Sequence, residues 1–198
     1  ATPAGALQLA LTLEYLEDEF YAMGLDSGVI EAADMPTFQS IAAHESQHVA
    51  FLTGAMNANS VALPPMPTFD FTVGGLFDPF NNYDQFLALA QAFEDTGVRA
   101  YKGQAGNLKG TDFLTPALQI HSVEARHASQ VRRIRGLKGW ITLNQRGAGM
   151  PEQTQAVYDG EQNTALGAGQ FDAAAQSEAY DEVLSTEQVV TIANLFIV

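Results

Sequence analysis

Residues 44–48 read His-Glu-Ser-Gln-His, and residues 124–127 read Glu-Ala-Arg-His. On a helix, His-Glu-x-x-His sets two zinc-binding imidazoles one turn apart with a glutamate general base between them. The shorter unit within it, Glu45-x-x-His48, is half of a dinuclear carboxylate site instead. The second occurrence, Glu124-x-x-His127, decides between the two. Val123 stands there where His44 stands in the first copy, so the repeated element is Glu-x-x-His and His44 is incidental to it. The extended zinc-protease pattern also needs Gly at position 51 and His at position 54, where the chain has Phe51 and Gly54.

Each copy has a further glutamate upstream. Superposing Glu14 on Glu94 also aligns Leu7 with Leu87 and Tyr21 with Tyr101, while superposing Glu45 on Glu124 aligns Ile41 with Ile120 and His48 with His127. Glu14, Glu45, His48, Glu94, Glu124 and His127 therefore form a set of metal-ligand candidates with internal symmetry. Two neighbouring cations repel, and several anionic oxygens, some shared, are needed to hold both. Imidazoles add neutral terminal ligands, and i, i+3 spacing lets one helix supply both groups. Glu17, one turn after Glu14, is a candidate seventh ligand; its alternative is a solvated residue in the acidic run EYLEDE, and its duplicate position is Gly97. Tyr21 and Tyr101, two turns beyond the upstream glutamates, are placed to hydrogen-bond a carboxylate of the opposite hairpin or to fill an aromatic core. His121 is a candidate for orienting Glu124 or gating access, with a structural role at a helix edge the favoured reading.

These residues need rigid elements to bring them together. Apolar periodicity predicts helices over 6–25, 36–56, 83–102 and 111–136. In the second, Phe38, Glu45 and Leu52 share one heptad column and Ile41 and His48 the next; in the fourth, Ala117, Glu124 and Val131 stand beside Ile120, His127 and Ile134. Charged ligands thus replace core residues, which costs several kcal/mol unless they are paired, protonated or metal-bound. A crossover over 57–81, with four prolines, separates two hairpins with short joins. The reading is an all-α four-helix bundle over 1–138, with a long crossover between helices 2 and 3. A C-terminal extension over 139–198 wraps it, Tyr158, Phe171 and Tyr180 packing on the bundle. That extension ends in a short helix opened by a capping box at Ser185 and Gln188.

Composition narrows the function. A net charge of −14 opposes nucleic acid and anionic lipid as partners, and the absence of cysteine leaves only His, Asp and Glu as metal ligands. No apolar run approaches a membrane span. The basic cluster Arg126, Arg132, Arg133, Arg135 and Lys138 complements the dipole of helix 4 or serves an oligomer contact. The opening ATPAG, without Met, fits a mature exported chain.

With these residues placed, LEYLEDEFY, HESQHVAFL, FEDTGVRAYKGQA, VEARHASQVR and EVLSTEQVVTIANLFI resemble the desiccation-related proteins of the ferritin-like superfamily. The rubrerythrins of that superfamily hold two irons through Glu from helices 1 and 3 and Glu-x-x-His from helices 2 and 4. That resemblance implies the six ligands named above. It departs at the extra glutamate of helix 3, where this chain has Gly97 and offers Glu17 on helix 1. The resemblance implies two metal ions, iron first and manganese next, that react with oxygen or peroxide as ferroxidase, peroxidase or catalase-like oxidoreductase in oxidative or desiccation stress. With no CxxC pair, electrons come from an external donor; a homo-oligomer is an open expectation. The alternatives are a non-catalytic stress or surface protein with a structural or vestigial metal site and, less favoured, a zinc metallopeptidase through HESQH.

Overall fold

The computed structural model describes residues 2–167 and 169–198. Helix α1, Pro3–Ser27, starts where the Thr2 side chain accepts the Gly5 N–H and a proline fills the first turn. It stops at Gly28, whose φ of 74° lies in the left-handed region. Helix α2, Met35–Ala58, returns antiparallel and packs on α1. Helix α3, Tyr83–Leu108, is capped by the Asn82 side chain on Gln85 N–H, and α4, Leu114–Ile134, packs back along it. The short helices α5, Ala173–Ser177, and α6, Thr186–Ala193, belong to the C-terminal extension, and α6 opens with the capping box of Ser185 and Gln188. The described residues are all-helical in their regular structure, with a single antiparallel bridge between Phe69 and Ile197. No helix among them is long and apolar enough to cross a membrane.

The crossover between α2 and α3 is ordered by its aromatic residues. Phe71 packs on Phe20, Phe93 and Phe196, and Phe20 stacks on Phe86 at 4.9 Å between centroids. Large rings of this kind carry much of the burial energy of a small core. The cluster ties crossover, bundle and chain end together, and Asp70 N–H donating to the Phe196 carbonyl at 2.8 Å adds a backbone link.

Every residue of α3 from Phe86 to Tyr101 is buried, including Gln91, Asp95 and Arg99 on the side away from the bundle axis. The extension covers that side and satisfies its polar groups. Tyr158 donates to Asp95 at 2.9 Å and accepts from Gln91 at 2.9 Å, and Arg99 pairs with Glu161 at 2.6 Å while donating to the carbonyls of Val157, Asp159 and Glu182. The basic cluster is largely used internally: Arg132 forks onto Asp95, Arg135 holds Gln91, and Lys138 meets Glu178 at 2.6 Å.

Three expectations change. Helix α3 continues past residue 102 to Leu108 and includes Gly103, which Leu184 crosses so closely that its carbonyl would lie 2.1 Å from a Cβ at 103. Helix α4 begins at Leu114, not 111, so that Pro116 falls within its first turn. Phe171 and Tyr180 are exposed, whereas Tyr158 is fully buried, so only the last of these three packs on the bundle.

The Gly103 contact yields a prediction with competing signs. Gly103→Ala gains about 1 kcal/mol of helix propensity but drives a methyl into a backbone carbonyl, an overpacking that costs about 1–3 kcal/mol. Overpacking is expected to win, lowering the urea midpoint; a raised midpoint would show that the extension yields freely at Leu184.

Candidate metal centre

The bundle axis should hold apolar side chains, yet Glu14, Glu45, Glu94 and Glu124 meet there with no exposure at all. Each sits mid-helix, one on each of α1, α2, α3 and α4, between core residues of its own stripe. Helical i, i+3 spacing brings His48 and His127 to the same level.

Two groups of four ligands result. One comprises Glu14, Glu45, His48 and Glu124, the other Glu45, Glu94, Glu124 and His127, and within each group one atom per residue lies within 4.8 Å of every other. Glu45 and Glu124 belong to both. Glu45 turns Oε2 to His48 Nδ1 at 3.1 Å and Oε1 to His127 Nδ1 at 2.9 Å; Glu124 turns Oε1 to His48 at 3.0 Å and Oε2 to His127 at 3.5 Å. Glu14 and Glu94 complete one group each, 3.2 Å from His48 and 3.3 Å from His127.

The hydrogen bonding is incomplete in a specific way. Tyr21 Oη donates to Glu94 Oε1 at 2.5 Å, and Tyr101 Oη donates to Glu14 Oε1, so each phenol reaches the opposite hairpin. Among the described residues the other oxygens, Glu94 Oε2 and Glu14 Oε2, have no hydrogen-bond partner, nor have Glu45 Oε1, both oxygens of Glu124, or His127 Nδ1. Several of these atoms are close in distance, but their approach is not directed along a hydrogen bond. Buried polar atoms are normally satisfied, and a cluster of orphans facing one centre is a donor set that a cation could satisfy.

Electrostatics agree. Burial opposes charge on both imidazoles, but the surrounding carboxylates outweigh it and push His48 and His127 up to about 12. Burial also raises Glu14, Glu17 and Glu94 well above the ordinary carboxylate range. Glu124 goes the other way: burial would raise it, and its contacts with His127 and His48 bring it down to about 2. Tyr21 and Tyr101 are pushed upward by burial and then by the carboxylates they touch, which keeps both phenols as donors. The centre demands positive charge, and in its absence takes protons.

Glu17 is 2 % exposed, so it is not a solvated member of the acidic run. It belongs to neither group of four. Its carboxylate lies across from Glu124 where Gly97 has no side chain: a Cβ at 97 would stand 3.5 Å from Glu17 Oε1 and 3.5 Å from Glu124 Cγ. Ile192, Ala193 and Phe196 of the extension close this side.

On the other side a groove of about 690 Å³ opens between α2 and α4, with Ser40, His44, Gln47, His48, Arg126 and His127 along it. His44 belongs to neither ligand group, so the geometry of HESQH does not gather two zinc-binding imidazoles about one point. It is not incidental, however. Its Nδ1 lies 2.9 Å from His127 Nε2, a contact between helices that sequence spacing did not reveal. His121 makes no hydrogen bond to Glu124, and its Nε2 is buried without a partner among the described residues, which leaves the structural role at the helix edge. One turn before Glu124, it is half-buried, and burial and the nearby Lys102 charge hold its imidazole below the ordinary range.

A family model described as a ferritin-like domain matches residues 3–137. No curated protein matches the chain.

Proposed function

We propose that this chain, which belongs to the ferritin-like domain family, is a di-metal carboxylate protein that reacts with oxygen or peroxide. Glu14, Glu45, His48 and Glu124 would hold one ion and Glu45, Glu94, Glu124 and His127 the other, with iron preferred and manganese next. The observation that carries this reading is the pair of glutamates common to both groups, surrounded by ligand atoms that have no other partner. Bound there, the two ions would supply the electrons that reduce oxygen or peroxide.

The chain's own residues do the rest. Tyr21 and Tyr101 each tie down one oxygen of Glu94 and Glu14 and leave the other aimed at the centre. Phe93, Ile192 and Phe196 exclude water from the Glu17 side, and the groove beside His44 and His48 admits small reactants from the other. Glu17 adds a fifth carboxylate. Four carboxylates would balance two divalent ions, and Glu17 would place a fifth negative charge beside them. An external donor would return the electrons, since the chain has no cysteine for a second, thiolate-held iron centre. A role in oxidative or desiccation stress, in an exported and oligomeric protein, extends the proposal along the sequence resemblance.

The test is a single turnover. Protein loaded anaerobically with two ferrous ions per chain should oxidise both on addition of one equivalent of peroxide, much faster than free ferrous iron at the same pH. Two bound irons that remain ferrous would instead make the site structural.

A further inference from the structure

The contact between His44 and His127 has a chemical consequence, because it involves the nitrogen that a metal would not use. His127 directs Nδ1 at Glu45, Glu94 and Glu124, at 2.9, 3.3 and 3.5 Å. For Nδ1 to offer a lone pair to a cation, the ring proton must reside on Nε2. That Nε2 is the atom 2.9 Å from His44 Nδ1.

The two rings do not lie face on face. Their planes are within 5° of parallel with centroids 5.2 Å apart. Parallel rings in face contact keep their atoms about 3.5 Å apart, so a nitrogen–nitrogen distance of 2.9 Å places the rings edge to edge, along the direction of a hydrogen bond. With a cation on His127 Nδ1, the donor is His127 Nε2–H and the acceptor His44 Nδ1, whose own proton then sits on its other nitrogen.

The second imidazole lacks such a partner. His48 also points Nδ1 inward, at 3.0–3.2 Å from Glu124, Glu45 and Glu14, but no protein group among the described residues meets its outer nitrogen. The residue that stands where His44 does in the other copy is Val123, which neither donates nor accepts. An outer partner fixes the tautomer and rotation of a metal-bound imidazole and strengthens its basicity.

We propose that His44 is a positioning residue that holds His127 in its metal-binding tautomer and so makes the two metal positions unequal, the one built on Glu94 and His127 being the tighter. The inference rests on the two-metal reading.

Cobalt(II) titration of the metal-free full chain, followed by visible absorption and calorimetry, tests it. Wild type should take up two equivalents in two steps. His44→Ala should weaken the tighter step roughly 10–100-fold and leave the weaker one in place. His44→Asn should restore it, because an amide oxygen occupies the place of Nδ1 and accepts the same hydrogen bond. In a Glu14→Ala background, which keeps the Glu94 position, His44→Ala should weaken the remaining cobalt; in a Glu94→Ala background it should change nothing. His44 is exposed, so the metal-free variants should still unfold in one cooperative transition well above the titration temperature, which confirms folding. Two equal steps in wild type, unchanged affinities in His44→Ala, or His44→Asn no tighter than His44→Ala would overturn the inference alone. Fewer than two cobalt ions in wild type would overturn the two-metal reading and the inference with it.

Discussion

Glu45→Ala is expected to cost the protein both metal ions, although it removes a single side chain. Glu45 presents Oε2 to the group containing His48 and Oε1 to the group containing His127. Its loss leaves each group with one anionic oxygen fewer and removes a carboxylate placed between the two cations. Removing an outer partner already weakens a metal site roughly 10–100-fold, and loss of a shared ligand should exceed that at both positions. Glu124→Ala should behave alike, whereas Glu14→Ala and Glu94→Ala should each spare one ion, because these residues belong to one group only. Metal analysis after exhaustive dialysis reads the difference directly. A zinc site on HESQH predicts another pattern, in which His44→Ala removes the metal and Glu45→Ala, which deletes a base, spares it.

The second large effect is on stability, and pH sets its size. A ligand present at 1,000 times its Kd stabilises a fold by about 4 kcal/mol, and 1 kcal/mol moves the melting temperature of a chain this long by about 2–4 °C. Two ions should therefore raise it on the order of 20 °C near pH 7. In the metal-free chain, His48 and His127 are held protonated up to about 12, far above the 6.5 of the unfolded chain. Their stabilisation is complete below pH 6.5 and declines as pH rises towards 12, at up to about 1.4 kcal/mol per pH unit per ring. The raised Glu14, Glu17 and Glu94 act in the same sense from the unfolded value of 4.5 upwards. Glu124 opposes them only in acid, where stability is lost as pH falls from 4.5 through about 2. Metal binding displaces the extra protons and tightens as pH rises. The gap between loaded and metal-free melting temperatures should widen from pH 6 to pH 8 in scanning calorimetry. A gap that narrows would mean that the ions do not replace those protons.

Local spacing made the ligand candidates readable, since a helix converts positions 45 and 48, or 124 and 127, into neighbours on one stripe, and a charge on an apolar stripe stands out. The duplicated hairpin paired Tyr21 with Tyr101, and the structure brings each phenol to a glutamate of the other hairpin. What was not legible depends on contacts between distant segments. His44 looked dispensable because Val123 replaces it in the repeat, yet its partner lies 83 positions away on α4. Gln91, Asp95 and Arg99 have the composition of a solvated face, and only the return of Tyr158, Glu161 and Glu182 buries them. The need for a glycine at 103 was hidden for the same reason: the segment that needs its missing side chain, around Leu184, comes 81 residues later in the sequence. Acidity alone could not separate a buried Glu17 from its solvated neighbours; the space left by Gly97 makes the difference.

A chain that holds two ions through shared carboxylates has a fixed metal stoichiometry. Full-length protein reconstituted anaerobically with excess ferrous iron, freed of unbound metal and analysed by plasma mass spectrometry should contain two irons per chain, and Glu45→Ala treated identically should contain none. One iron per chain in wild type, or two that survive the loss of Glu45, would contradict the shared-carboxylate site.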